Sequence, residues 1–367
     1  MRIDPSELLL VRACLANEAS FETSYREWEQ HADLDSMNHG AVRLLPFLSH
    51  RCDMLGIEGE LGQRLRGIRR YFWAQQRHQQ HSIGKTLLDT LEGESVFALK
   101  GAAVSDLVYE HPELRPYDDI DLLVSRDDFS MISENLKSEG WRYSSPLPES
   151  SVIYLHHAKQ FKLRGAELDL HWTVLPFTPD PEFDNRVMES SQQQLSWTPG
   201  VKIPSGTYCL IHTVIHGIRS NDVSPIRWIV DTHQLILNSE IDWGLFQKEV
   251  RALGVEGPVG VAADWFNGLA GFDALFPPIR KDGFSFGRAT DALARKAYFS
   301  HGLWVGRLLR MMGSQIPLVR NALSKEGKLS EAQILKTWVR ANKDEIQGIM
   351  RRYGIIKSML GHWSRER

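Results

Sequence analysis

Apolar positions change their period twice along this chain. Over residues 6–92 they recur at helical spacing. Leu65, Ile68, Tyr71, Phe72, Ile83, Leu87, Leu88 and Leu91 form one stripe of a long segment over Gly62–Leu91. Ser6 is placed to cap a first helix over Glu7–Ala16, and Glu92-Gly93-Glu94 ends the helical run. From about 93 to 175 the runs shorten. Val96–Leu99 reads as a buried strand, Ala102–Tyr109 as a short helix, Asp119–Val124 as a strand and Asp127–Ser138 as a helix with an acidic first turn. Ser151–His156, Gln160–Leu163 and Glu167–Trp172 read as successive strands of an antiparallel or mixed sheet. Past the proline-rich stretch Pro176–Pro181 the helical period returns. It predicts helices over Tyr208–Ile218 and Ile226–Asn238, then amphipathic helices through most of 243–367. Breaks are expected at Gly257–Gly260 and Pro277-Pro278. The fold class is therefore α+β: an α/β core over 93–178 between helical regions 1–92 and 179–367.

Composition narrows this picture. With 367 residues, 42% of them hydrophobic and 24% charged, the chain has the balance of a soluble protein large enough for two or three packed units. A net charge of −3 makes no general case for nucleic acid. Residues 301–367, however, hold 13 Lys and Arg against 5 Asp and Glu. That basic segment reads first as solvated helix faces and second as a contact for a polyanion such as RNA. Cys14, Cys52 and Cys209 lie far apart, without disulfide-framework or zinc spacing. The acidic, proline-broken start is unlike a signal peptide, and no apolar run approaches a membrane span. A cytoplasmic location is expected.

The chemistry concentrates in two strands. Asp119 and Asp121 stand at i and i+2, so a strand projects both from one face while Ile120, Leu122 and Val124 pack behind. Two acids held side by side repel unless a cation lies between them. Asp118 points the other way and reads as a cap or surface group. Glu167, Asp169 and His171 also alternate, so Asp169 completes a three-carboxylate cluster if its strand lies beside the first. Lys100-Gly101 ends a strand and opens a helix. Glycine admits an anion close to the backbone, and the helix N-terminus offers N–H groups and a favourable dipole. Lys100 adds a point charge and Arg115 a two-pronged donor, each with an ordinary salt bridge as its alternative.

The pattern Leu-Lys-Gly-Ala, then Arg-x-x-x-Asp-Ile-Asp-Leu-Leu-Val, then Leu-Asp-Leu-His-Trp resembles the uncharacterised bacterial nucleotidyltransferase group of the DNA polymerase β-like superfamily. It is similar too to the abortive-infection nucleotidyltransferase toxins. The likeness is strongest over 95–175 and extends weakly to Arg227-Trp228-Ile229-Val230-Asp231. It implies a polymerase β-like mixed sheet in which Asp119 and Asp121 bind two Mg²⁺ ions and Asp169 is the third acid, beside the attacking hydroxyl. Lys100, Gly101, Ala102 and Arg115 would bind the phosphates of an NTP. An NMP would pass to a hydroxyl on a small molecule or peptide, with pyrophosphate released. A toxin-like action on RNA or protein, and a non-catalytic nucleotide-binding role, are the alternatives. Two departures stand out: the superfamily's Gly-Ser is here Gly101-Ala102, and the gap from Gly101 to Asp119 is longer than in the best-known members.

Weaker signals fall around this centre. Gly84-Lys85-Thr86 imitates the end of a P-loop, but Gln79 replaces the first glycine and a helix precedes it. His212 and His216 have i,i+4 spacing without the zincin glutamate, and read as a packed helical pair rather than a zinc site. Arg227 and Asp231 read as an i,i+4 ion pair. Trp228, Trp265, Trp304, Trp338 and Trp363 read as core. His157, His171, His216 and Asp231 are candidate substrate contacts.

Overall fold

The computed structural model describes residues 4–91, 95–143, 157–175, 180–191, 193–218, 226–269 and 276–279. The chain divides into two compact units. The first comprises Met1–Ser144, Ala158–Val174 and Asp180–Phe284; the second comprises Ser145–His157, Leu175–Pro179 and Ser285–Arg367. All elements below belong to the first. Of the second, only His157 and Leu175 are described, so the expected strand Ser151–His156 and the basic segment 301–367 lie outside the described residues.

Helices α1 (Pro5–Leu15), α2 (Glu18–Glu29), α3 (His39–Val42), α4 (Leu45–Met54) and α5 (Glu60–Thr90) precede the sheet. The first begins one residue before the expected cap: Asp4, not Ser6, accepts the free N–H of the opening turn. Gly84-Lys85-Thr86 falls inside α5, in a helix rather than a phosphate loop.

Seven strands follow: β1 (Val96–Ala98), β2 (Asp119–Leu123), β3 (Arg142–Tyr143), β4 (Ala158–Leu163), β5 (Ala166–His171), β6 (Gln193–Gln194) and β7 (Val201–Ile203). They form one mixed sheet in the order β3-β4-β5-β2-β1-β7-β6. The parallel pairs are β2–β5 and β1–β7; the others are antiparallel. The α+β architecture expected from the changing period is present. Strands β3, β6 and β7 are additions, too short for alternation to reveal.

One face of the sheet is the core. Ile120, Leu122, Leu168 and Leu170 are fully buried, together with Phe129, Ile132 and Leu136 of α7 (Phe129–Ser138). Each such side chain contributes about 1.5–3 kcal/mol of apolar burial. The opposite face carries the acids. It looks toward α6 (Lys100–Val108), which joins β1 to β2 through the short 3-10 turn Pro112–Leu114.

After the sheet, α8 (Pro181–Glu189), α9 (Gly206–Ile218), α10 (Arg227–Asn238), α11 (Trp243–Ala252) and α12 (Glu256–Asn267) complete the described chain. The break expected at Gly257–Gly260 is instead the opening of α12. Pro258 stands in its first turn, where no intrahelical N–H bond is lost. Helices α9 and α10 meet at Gly217, where a Cβ would overlap the Trp228 indole. Only glycine permits that approach, and it sets the histidines of α9 beside the first turn of α10.

Candidate active site

Strand pairing builds the first half of the site. Parallel β2 and β5 run in register, Asp119 opposite Glu167 and Asp121 opposite Asp169, with His171 two residues further along the same face. Ligand atoms of Asp121, Asp169 and His171 lie within 4.8 Å of one another. The alternation of Glu167-Leu168-Asp169-Leu170-His171 therefore does what its period requires. Asp119 shares the face, but the tight group consists of Asp121, Asp169 and His171.

Asp121 is 2% exposed and is held from two sides. The His171 ring donates from Nε2 to Asp121 Oδ1 at 2.8 Å, and the Lys100 ammonium pairs with the same oxygen. Burial alone would favour the protonated acid, but the Lys100 charge and the His171 hydrogen bond outweigh it and hold Asp121 far below the usual carboxylate range. Asp119 and Asp169 move the other way. Burial, then the nearby charge of Asp121, raises both. The anionic form is thus favoured at Asp121 and disfavoured at Asp119 and Asp169.

The residues fit a divalent cation. The carboxylate oxygens suit a hard ion such as Mg²⁺ or Mn²⁺. Asp169 Oδ1 is buried without a hydrogen-bond partner among the described residues, a cost that a bound cation removes. Because His171 Nε2 donates to Asp121, His171 orients the carboxylate rather than adding a third oxygen-like ligand from that nitrogen.

The second half of the site is the helix opening after β1. Lys100 adopts a left-handed backbone conformation, φ 45°, and α6 begins there. No side chain caps its first turn, so N–H groups are left for an anion. A Cβ on Gly101 would lie 2.6 Å from Tyr117 Cβ and 2.8 Å from Arg115 Nη1, so glycine is a packing requirement here. Ala102 is buried and brings no hydroxyl.

A cavity of about 410 Å³ joins these halves. Lys100, Gly101, Arg115, Asp119, Asp121, Glu167, His216 and Asp231 line it together with His39, Arg43, Asp118, His212, Arg227 and Trp228. Asp169 and His171 are not among its lining residues; they stand beside Asp121 on the neighbouring strand. His157 sits immediately before β4, in the second compact unit, whereas the cavity belongs wholly to the first.

Two expectations are corrected. Asp231 does not pair with Arg227. It accepts from Arg115 Nε and Nη2, the latter at 2.7 Å, and from the Tyr109 hydroxyl at 2.9 Å. Arg227 lies in the first turn of α10 and instead donates to the Pro116 carbonyl at 2.9 Å. Nor is Asp118 a simple surface group. It lines the cavity, pairs with Arg43 and lies 3.0 Å from His39 Nε2.

Several contributors escaped the sequence reading. Arg43 follows α3 without a motif to mark it. Gln76, Gln79 and Gln80 of α5 are buried and fasten the loop before β2. Gln79 donates to the Asp118 carbonyl at 2.6 Å, Gln76 accepts from the Tyr117 N–H and Gln80 donates to the Tyr117 hydroxyl. Gln76 with Gln79 and Gln80 one helical turn later, buried on one face of α5, were the available signal.

A family model described as uncharacterised nucleotidyltransferase matches residues 40–269. The chain belongs to this nucleotidyltransferase family. No curated protein matches it. The nucleotidyltransferase match begins at the cavity-lining Gly40, contains every sheet strand and runs past α12. Among the described residues no helix is long and apolar enough to cross a membrane.

Proposed function

We propose that this nucleotidyltransferase transfers a nucleoside monophosphate from an NTP to a hydroxyl of a small molecule or peptide, releasing pyrophosphate, with Mg²⁺ bound at the acid cluster. One observation above all supports this reading. Asp121, set against Asp169 by the strand register, lines the same cavity of about 410 Å³ as the uncapped N-terminus of α6.

Asp119, Asp121 and Asp169 are the metal-holding acids. A bound divalent ion neutralises phosphate charge and lowers the pKa of the attacking hydroxyl. The chain's own groups do the rest. Lys100 and the N–H groups at Gly101 and Ala102 face the β- and γ-phosphates, and Arg115 contributes Nη1, its other nitrogens being held by Asp231. The acceptor oxygen bonds to the α-phosphorus, and the bond from that phosphorus to the bridging oxygen breaks. The bonding pair leaves with pyrophosphate, and the hydroxyl proton passes to Asp169. His171 keeps Asp121 ionised and in place, while His216 and Asp231 border the acceptor side of the cavity.

The test is mass spectrometry of candidate small-molecule, peptide and RNA acceptors after incubation with each NTP. Parallel samples contain Mg²⁺ or EDTA, and Asp121→Asn is the control. A mass increase of one NMP that needs Mg²⁺ and Asp121 is expected. NTP binding equal in Mg²⁺ and EDTA, with no acceptor modified, overturns the reading.

A further inference from the structure

Besides the acids, three arginines line the cavity. Arg43 follows α3, Arg115 follows the 3-10 turn and Arg227 opens α10. Three distant segments thus bring three guanidinium groups together, and Arg115 is close enough to disfavour the charge of the other two. Burial first, then repulsion from Arg115 and Arg43, lowers Arg227 to about 9; burial, then Arg115, lowers Arg43 to about 10.

The ion pairs leave one guanidinium over. Asp118 answers Arg43 and Asp231 answers Arg115. Arg227 donates to a backbone carbonyl and has no ion pair among the described residues, although Asp231 and Asp119 are near enough to favour its charge. Two helix N-termini add to the surplus. Neither α6 nor α10 has a side-chain cap, and the first residues of both line the cavity. Each N-terminus carries roughly half a positive charge. One guanidinium without an ion pair and two helix ends remain to meet a terminal phosphate, and Arg115 Nη1 lies close against Gly101.

We propose that Arg43 and Arg227 form a metal-independent clamp for the terminal phosphates of a polyphosphate chain, selecting triphosphates over shorter nucleotides. This rests on the nucleotidyl-transfer reading for its biological ligand, but not for its chemistry. The guanidinium forks match phosphate oxygens in pairs, and the burial that makes three arginines costly when empty strengthens them once an anion arrives. The clamp is supplied by segments on either side of the sheet in sequence, so neither strand motif encodes it.

The probe is inorganic tripolyphosphate, titrated calorimetrically in EDTA and followed by ATP, ADP and AMP. Wild type should bind tripolyphosphate, and affinity should fall from ATP to AMP. Arg43→Gln and Arg227→Gln should each weaken tripolyphosphate binding at least tenfold and narrow the gap between ATP and ADP. Arg64→Gln, which opens an exposed pair with Asp35 outside the cavity, removes the same charge and should leave metal-free binding within about threefold. Arg43 is the more tolerant position, so Arg43→Gln decides the matter if Arg227→Gln fails to fold. Unchanged tripolyphosphate affinity in folded Arg43→Gln overturns the clamp, as does absence of binding to wild type. Clamp behaviour in a protein that modifies no acceptor would sink the transfer reading alone. Transfer with equal use of ATP and ADP would sink the clamp alone.

Discussion

The two walls of the cavity are built on opposite principles. The acid wall is local and periodic: two parallel strands in register put Asp121, Asp169 and His171 together with no freedom left to the loops. The arginine wall is assembled from the ends of elements far apart in the chain. Its central bond, Arg115 to Asp231, spans 116 residues. The first wall concentrates negative charge and lowers its cost with a lysine and a histidine. The second concentrates positive charge and leaves one arginine without an ion pair among the described residues. A cleft between such walls favours a ligand that carries both a chelated cation and a polyanionic tail.

The sharpest way to separate the walls is to damage each alone. Asp121→Asn removes the fixed anion but not its volume. Nucleotidyl transfer, measured by release of pyrophosphate, should fall by about 10³-fold, the several kcal/mol that metal chemistry supplies. The melting temperature should fall only modestly, because the Lys100 ammonium left behind is 21% exposed and regains water. Asp231→Asn should do the reverse. It leaves the Arg115 guanidinium buried without a compensating charge, and chemical denaturation should show a loss of about 3–5 kcal/mol. If Asp231→Asn proves as stable as wild type, the arginine wall is not held by that pair.

At the seam between the walls, Gly101→Ala forces a methyl against Tyr117 and Arg115. A destabilisation of about 1–3 kcal/mol is expected, with a raised KM for NTP in steady-state assays. Smaller still is a pH effect outside both walls. Asp184 is buried, its Oδ1 accepts the Val174 N–H, and burial raises it to about 7. A raised carboxylate favours the fold while protonated, so its contribution is full below the ordinary carboxylate range and is lost as pH rises through 7. Thermal melts of Asp184→Asn against wild type should therefore show a stability difference that moves in the variant's favour from pH 4 to pH 8. A difference that stays flat contradicts this. Least of all should come from Lys162→Gln, which opens the solvent-exposed pair with Glu167 at the cavity rim. Its melting curve should differ from wild type by less than about 1 kcal/mol.

Legibility in the sequence follows the same division. The acid wall could be read because side chains alternate along strands, so Asp119-Ile120-Asp121 and Glu167-Leu168-Asp169 declare a shared face before any fold is known. Only their adjacency had to be assumed, and the register supplied it. Lys100-Gly101 was readable for a related reason, since a strand-to-helix turn has few chemistries. The arginine wall was not readable. Arg227 and Asp231 have the spacing of a helical ion pair, yet tertiary packing offered Asp231 a buried two-pronged partner in Arg115 and drew Arg227 to Pro116. Local spacing proposes a pair; burial decides it. Strands β3, β6 and β7 were missed because two or three residues cannot display a period.

The parallel register of β2 and β5 also bears on how this chain can be altered or inherited. Single substitutions at the site remove one group at a time, but a one-residue insertion or deletion inside β5 acts as a frame error written in three dimensions. It would turn Leu168 and Leu170 toward Asp121 and send Asp169 and His171 into the core. Composition would be almost unchanged, and every charge would be in the wrong compartment. Length variation is therefore tolerable in the turns that join the strands and not within them. Libraries that recombine this protein should place their crossovers accordingly.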